Sequence, residues 1–273
     1  MSGRVPFKLK LTGDTADAHQ FQGYDGYMAL AGFAWVLSLS SNYVETGVIR
    51  QRGEFPGRDA VRAYAPESGS VVVEFIVELQ SNPEQIFALA GAGLSSTALL
   101  YAVVKRVLAR NLGEASPEAD AVLAPLLIRR EGDLAALAAI SESPIRQAHS
   151  VIGRGADEIQ ISGGFNVLNR FNRETKAYVQ SDIIDDEVRV KNFSVASFNA
   201  NSGYGSVFDL DLGHIVPFSI PRDRVKRLGP AFSWGLDQYT HGNGMLITMS
   251  YTSILAMDRR PKRYIVQSAR PKR

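Results

Sequence analysis

The chain has 273 residues, 45% of them apolar and 21% charged, with a formal net charge of +2. That balance is ordinary for a soluble globular protein of two modest domains, and it excludes a global field that would draw the whole molecule onto nucleic acid or membrane. There is no cysteine, which removes disulfides, zinc ribbons and thiol catalysis and fits a reducing compartment.

Phe7, Leu9 and Leu11 alternate with Lys8 and Lys10, the period of a strand with one buried face. The N-terminus enters this strand directly, with no charged-then-apolar leader, so the expected location is the cytoplasm. "GYDGYMALAGFAWVLSLSSNYV" reads as a helix that turns Tyr27, Leu30, Ala31, Ala34, Leu37 and Trp35 toward a core. A short strand over 48–52 and a turn at Pro56-Gly57 follow. Residues 61–65 and "VVVEFIVEL" make a hairpin closed by "PESGS", with Val71, Val73, Phe75, Val77 and Leu79 on one face and Glu74 and Glu78 on the other. The pattern is β-α-β-β-β, a sheet with a helix on one face.

Asn82-Pro83-Glu84 starts the next helix: Asn caps, Pro has the φ of a first turn, and Glu complements the dipole. This helix runs over 84–111 and stops at Gly113. Its segment from Ile86 to Val104 has no charged residue and is followed by Lys105, Arg106 and Arg110. The length approaches the ~20 apolar residues that cross a bilayer, and the basic flank fits a cytoplasmic side. Its small residues, Gly91, Ala92 and Gly93 with Ser95, Ser96 and Thr97, also suit a helix buried between a sheet and other helices. A membrane-active, defence or toxin-like effector that inserts this helix is therefore one function class.

Helices follow over 117–129 and 133–149, then a strand at "DEIQISGG" and the Asn- and Arg-rich "FNVLNRFNRETKAY". The domain boundary is placed there, giving an α+β domain over 1–170 and a second domain over 171–273. The second reads as strands over 187–199, 204–210 and 214–219, a helix in "PRDRVKRLGPAFSWGLDQYT", a strand over 245–257, and a fifth in "RYIVQSA". Three strands, a helix and two strands is the order of a five-stranded OB-like β-barrel. The fold class is α+β, a small sheet with packed helices followed by that barrel.

Within it, "VASFNANSGYGSVFDLDLGHIVPFSI", residues 195–220, carries Phe198-Asn199, Gly203-Tyr204-Gly205 and Phe218-Ser219-Ile220. This run resembles a degenerate cold-shock domain, itself an OB-type barrel. The resemblance implies strands whose aromatic faces stack unpaired bases. It departs from the family at Ser197 and Ser206, where aromatics are usual, and at Pro217, where a histidine is usual. Tyr204, Phe198 and Phe218 remain as platforms, with Phe208 read as facing the other way. The same residues also fit a hairpin in a barrel, with Gly203 and Gly205 for their backbone freedom, Asn199 and Asn201 as turn formers, and Phe198 and Phe218 as core.

Two basic clusters accompany the run. Arg222, Arg224, Lys226 and Arg227 lie in the stretch read as the barrel helix, and "RRPKRYIVQSARPKR" from Arg259 onward contains no acid. Arg222, Lys226, Arg259, Arg260, Lys262 and Arg263 are the expected phosphate contacts. The phosphate-binding loop, the zinc helix and the nucleophile elbow are all absent, and His19, His149, His214 and His241 are widely separated. Asp185-Asp186-Glu187 and Asp209 with Asp211 offer carboxylates to a hard cation but read as turn and strand-end residues. Asp157 with Glu174 and Lys176 has the Asp…Glu-x-Lys spacing of metal-dependent nucleases, a pattern short enough to arise often by chance. No catalytic residue, metal or cofactor is expected. The expected function is non-enzymatic binding, of single-stranded nucleic acid through the barrel, or of a protein partner or second copy as a structural adaptor. The two-part layout resembles that of uncharacterised bacterial proteins, a resemblance that implies no function.

Overall fold

The computed structural model describes residues 3–50, 60–64, 71–79 and 94–272. The turns at Pro56-Gly57 and "PESGS", the end of the 48–52 strand and the helix start at Asn82-Pro83-Glu84 lie outside the described residues. By its contacts the chain divides into Met1–Gln180 and Ser181–Arg273.

The first unit is an antiparallel sheet in the order β2-β3-β1-β4-β5. Its strands are β1 (Gly3–Thr12), β2 (Val61–Ala63), β3 (Val71–Leu79), β4 (Glu158–Gly163) and β5 (Asn166–Phe171). Alternation decides its two faces. Phe7 pairs with Phe75 and Leu9 with Val73 on the buried face, while Lys8 meets Glu74 at 2.5 Å on the open one. Helices α1 (Gly23–Thr46), α2 (Ser96–Leu112) and α3 (Pro117–Ala148) contribute to the core of this unit, and α4 (Arg173–Gln180) follows β5. Phe33 of α1 reaches Phe7 and Phe75 with edge-on ring contacts at 6.3 and 5.6 Å.

Four expectations change. On α1, Leu37 is buried and Leu30, Ala34 and Trp35 flank the core, but Tyr27 is 69% exposed and Ala31 also faces solvent. The first turns of the helix lie at the rim, and burial on nearly every side begins at Val36, where Ser38, Ser40, Ser41 and Asn42 are enclosed as well. Val48, Ile49 and Arg50 form no strand. Helix α2 does not run through residues 94–95: the Ser95 hydroxyl accepts from the Ala98 amide at 3.1 Å and opens a new helix there. The paired helices expected over 117–149 are one element kinked at Arg130 (φ −143°, ψ 35°), whose guanidinium donates to the Gly47 carbonyl at the end of α1.

The second unit is a closed barrel in the order β10-β8-β7-β6-β9. Its strands are β6 (Ile183–Phe198), β7 (Tyr204–Asp209), β8 (His214–Ser219), β9 (Ile247–Leu255) and β10 (Pro261–Pro271), with α5 (Val225–Thr240) between β8 and β9. The fold is thus α+β with a five-stranded OB-like barrel at its C-terminal end. Closure depends on β6, which pairs with β9 over its first part and with β7 from Phe193 onward. The parallel β8–β10 pair completes the ring. Phe193, Val207, Val216, Phe218, Met249, Tyr251, Tyr264 and Val266 fill it, joined by Leu228 and Phe232 of α5.

Candidate nucleic-acid interface

Pairing without a bulge between β7 and β8 sorts their residues onto two faces. Tyr204, Ser206 and Phe208 stand opposite Ser219, Pro217 and Ile215. Gly205, Val207 and Asp209 stand opposite Phe218, Val216 and His214, and Val207, Val216 and Phe218 are core. The first set therefore points away from the barrel core, although Ser206 is buried there by its neighbours.

The turn before β7 is built by its own polar side chain. Asn199 Oδ1 accepts from the amides of Asn201 and Ser202 at 3.0 and 3.2 Å. Gly203 takes φ 71°, a backbone that L side chains resist. Gly205 has a different reason to be glycine: a Cβ there would lie 2.5 Å from the Phe218 ring and 2.3 Å from the Ser197 carbonyl. The start of α5 lies beside this turn, since a Cβ on Gly203 would come within 2.7 Å of Val225 Cγ2.

Of the three expected platforms, one is on the surface. Tyr204 is 54% exposed, and the Arg263 guanidinium carbon stands 5.7 Å from its ring centroid. Phe218 is fully buried and stacks on Phe232 of α5 at 4.4 Å. Half-buried Phe198 lies nearly parallel to both, at 6.3 Å from Phe218 and 5.6 Å from Phe232. Phe218 therefore presents no ring to a base, because its place on β8 points into the barrel and α5 closes over it. Phe208, read as facing away, shares the outer face with Tyr204 and is half-buried. Where the cold-shock pattern has aromatics, Ser197 and Ser206 share a hydrogen bond at 2.7 Å.

The cations also sort into two kinds. Arg222, Lys226, Arg227, Arg259 and Arg263 are exposed, as are Arg270 and Lys272 near the end of the chain. Arg260 and Lys262 are not open to a phosphate. The Arg260 Nε donates to Asp258 at 2.5 Å, and the side chains are 14% and 13% exposed. Lys262 is 7% exposed and donates to Asp182 at 2.5 Å and to the Ser181 carbonyl at 3.1 Å.

The carboxylates noted in the sequence are similarly engaged. Asp209 is buried inside the barrel, where it accepts from the Tyr264 hydroxyl at 2.6 Å and from the amides of Asp211 and Leu212 at 3.0 and 3.3 Å. Burial first, then Asp209, pushes the Tyr264 phenol far above its usual range. Lys191 bridges Asp211 at 2.7 Å and Asp209 at 3.5 Å. Asp185 pairs with Arg189 at 2.8 Å. In the first unit, Asp157 pairs with Arg173, and Lys176 donates to the Ile152 carbonyl. Among the described residues no three histidines or carboxylates converge as a metal-holding group. Among the same residues no helix is long and apolar enough to cross a membrane. The apolar residues of α2, among them Leu99, Leu100, Val103, Val104 and Leu108, are buried in the first unit's core, and the remainder of the expected 84–111 helix lies outside the described residues.

No curated protein and no solved structure matches the chain. A family defined as a domain of unknown function, DUF7946, matches residues 7–180 and ends where the contacts divide the two units. The matched residues are most of the chain, and the protein belongs to the DUF7946 family.

Proposed function

We propose that the protein is a non-enzymatic, cytoplasmic binder of single-stranded nucleic acid, and that the outer face of its barrel is the contact surface. One observation carries this reading: an exposed tyrosine, Tyr204, stands on the outer face of an OB-like barrel with an exposed arginine over its ring. A half-solvated aromatic ring is a poor use of apolar area unless something covers it, and bases stack on such rings for about 1–3 kcal/mol each. Arg222 in the turn before α5, Lys226 in its first turn and Arg259 before β10 supply exposed positive charge for the backbone. Binding carried by those residues falls with salt, with a logarithmic slope of about −0.7 per phosphate contact on single strands.

The test is fluorescence anisotropy with labelled single-stranded DNA and RNA at low and moderate salt, wild type beside Tyr204→Ala. The expected result is salt-sensitive binding that weakens roughly 5- to 100-fold in the variant. Absence of binding at low salt would remove this reading.

A protein partner is the second reading. Ile184, Val188 and Val190 are 74%, 59% and 63% exposed on β6, an apolar strip that a second copy or another protein would cover. A defined oligomer in light scattering that Val190→Lys dissolves would favour it.

A further inference from the structure

Of the four cations from Arg259 to Arg263, Arg259 and Arg263 are exposed, and Arg263 stands beside the Tyr204 ring. Arg260 is held by Asp258 and Lys262 by Asp182. Among the described residues the Arg263 guanidinium has the Tyr204 ring beside it and no carboxylate. The two side chains come from β10 and β7, the strands on either side of β8. Between them β8 contributes Pro217 and Ser219 to the outer face, residues too short to fill the space above the strand.

A base that stacks on Tyr204 must enter the region the guanidinium overlies. Successive stacked planes repeat at about 3.4 Å, so a base lying between two planar groups needs roughly 7 Å from one to the other. The observed separation is 5.7 Å. An exposed arginine covers the difference by a small rotation about its own side-chain bonds. A guanidinium is planar and stacks on aromatic faces, whereas an ammonium is a compact, strongly hydrated charge that does neither.

We infer that Tyr204 and Arg263 are the two walls of a slot for one unpaired base, and that Arg263 acts there by stacking rather than by holding a phosphate. This rests on the nucleic-acid reading above and narrows it: the ligand is a strand with an accessible, unpaired base, and a closed duplex of the same length is refused.

The test compares wild type, Arg263→Lys and Arg263→Ala on a labelled oligothymidylate, the matching oligouridylate and a duplex of equal length. Arg263→Lys retains the charge and loses the plane, so the slot predicts roughly tenfold weaker single-strand binding with the salt slope unchanged. Arg263→Ala loses at least as much. Both side chains are exposed, and circular dichroism of each variant reports an intact barrel. If Arg263→Lys binds as wild type while Arg263→Ala flattens the salt slope by about 0.7, Arg263 is a phosphate contact and the slot is wrong. Duplex bound as tightly as single strand also overturns it. Wild type that binds no strand at low salt removes the nucleic-acid reading itself, a result distinct from the other two.

Discussion

The sheet of the first unit buries Val5, Leu9, Leu11, Val71, Val73, Val77, Ile159 and Ile161 beneath three helices, whereas the barrel encloses Phe193, Phe218, Phe232, Tyr251 and Tyr264. The larger unit fills its core mostly with aliphatic residues supplied by regular alternation, with Phe7, Phe33, Tyr43, Phe75 and Phe171 set among them. The barrel spans fewer residues and has less interior to share. Each of its aromatic side chains removes more apolar area from water than an aliphatic one does. Tyrosine in such a core brings a hydroxyl that must be satisfied, and Tyr264 meets that need by donating to buried Asp209. The first unit carries a comparable polar insert in His149. Its ring stacks on Phe171 at 4.0 Å. The Nδ1 lies 2.7 Å from the Ile145 carbonyl, and Nε2 lies 3.0 Å from the Thr175 hydroxyl. The two cores are thus both polar-stitched, one through a buried carboxyl group and the other through a buried imidazole, and they respond differently to mutation and to acid.

The largest expected effect breaks the barrel alone. Phe218→Ala removes the ring that stacks on Phe232 and should cost about 3–5 kcal/mol, the range for large-to-small changes in a packed core. Hydrogen exchange would show protection falling across 181–273 and unchanged across β1, β3 and β4. An equal loss in those strands would sink the idea of separate cores.

Acid should act chiefly on the first unit. Burial pushes His149 down to about 4 from its ordinary 6.5. Between those values the unfolded chain binds a proton that the folded one refuses, so stability is complete above pH 6.5 and falls as pH drops toward 4. At pH 4.5 the loss is about 2.5 kcal/mol. His214 in the barrel is lowered too, again by burial first, and adds in the same direction. Urea midpoints between pH 7 and 4.5 test this, with His149→Gln beside wild type. A slope unchanged by the substitution would clear His149 of the effect.

A smaller change sharpens the contrast from the barrel's side. Tyr264→Phe keeps the ring but takes the hydroxyl from Asp209, at a cost of about 2 kcal/mol. Tyr251→Phe serves as the comparison, because its ring is buried beside Tyr264 at 4.3 Å while the Asp209 contact belongs to Tyr264. Equal costs for the two would mean that the hydrogen bond to Asp209 contributes no more than the contact of the Tyr251 hydroxyl with Tyr264.

Much of the architecture was legible because it is local. The period of two in residues 7–11 and 71–79 set the buried and open faces of β1 and β3, and the spacing of strands after residue 180 anticipated the barrel. The candidate site was less legible. The period of two puts Tyr204 and Phe208 on one face, against the reading of Phe208 as facing away, and puts Phe218 opposite Pro217, but it does not say which face is inside. Tyr204 and Phe218 read alike as aromatics in strands, and only closure of the barrel under α5 made one surface and the other core. The cations show the same limit. Arg260, Lys262 and Arg263 are near neighbours in sequence, yet Lys262 finds Asp182, whose distance along the chain no local pattern can signal.

The sequence by itself determined the class of the fold, the amphipathic faces of its strands, the turn at Asn199 to Gly203 and the stock of exposed positive charge. These depend on the backbone and on neighbours within a few residues. Tertiary structure decided which aromatics meet water, which cations are already paired, and that Arg263 comes to rest over Tyr204. Those outcomes depend on strand register and ring closure, which bring together residues dozens of positions apart and leave no periodic trace in the chain.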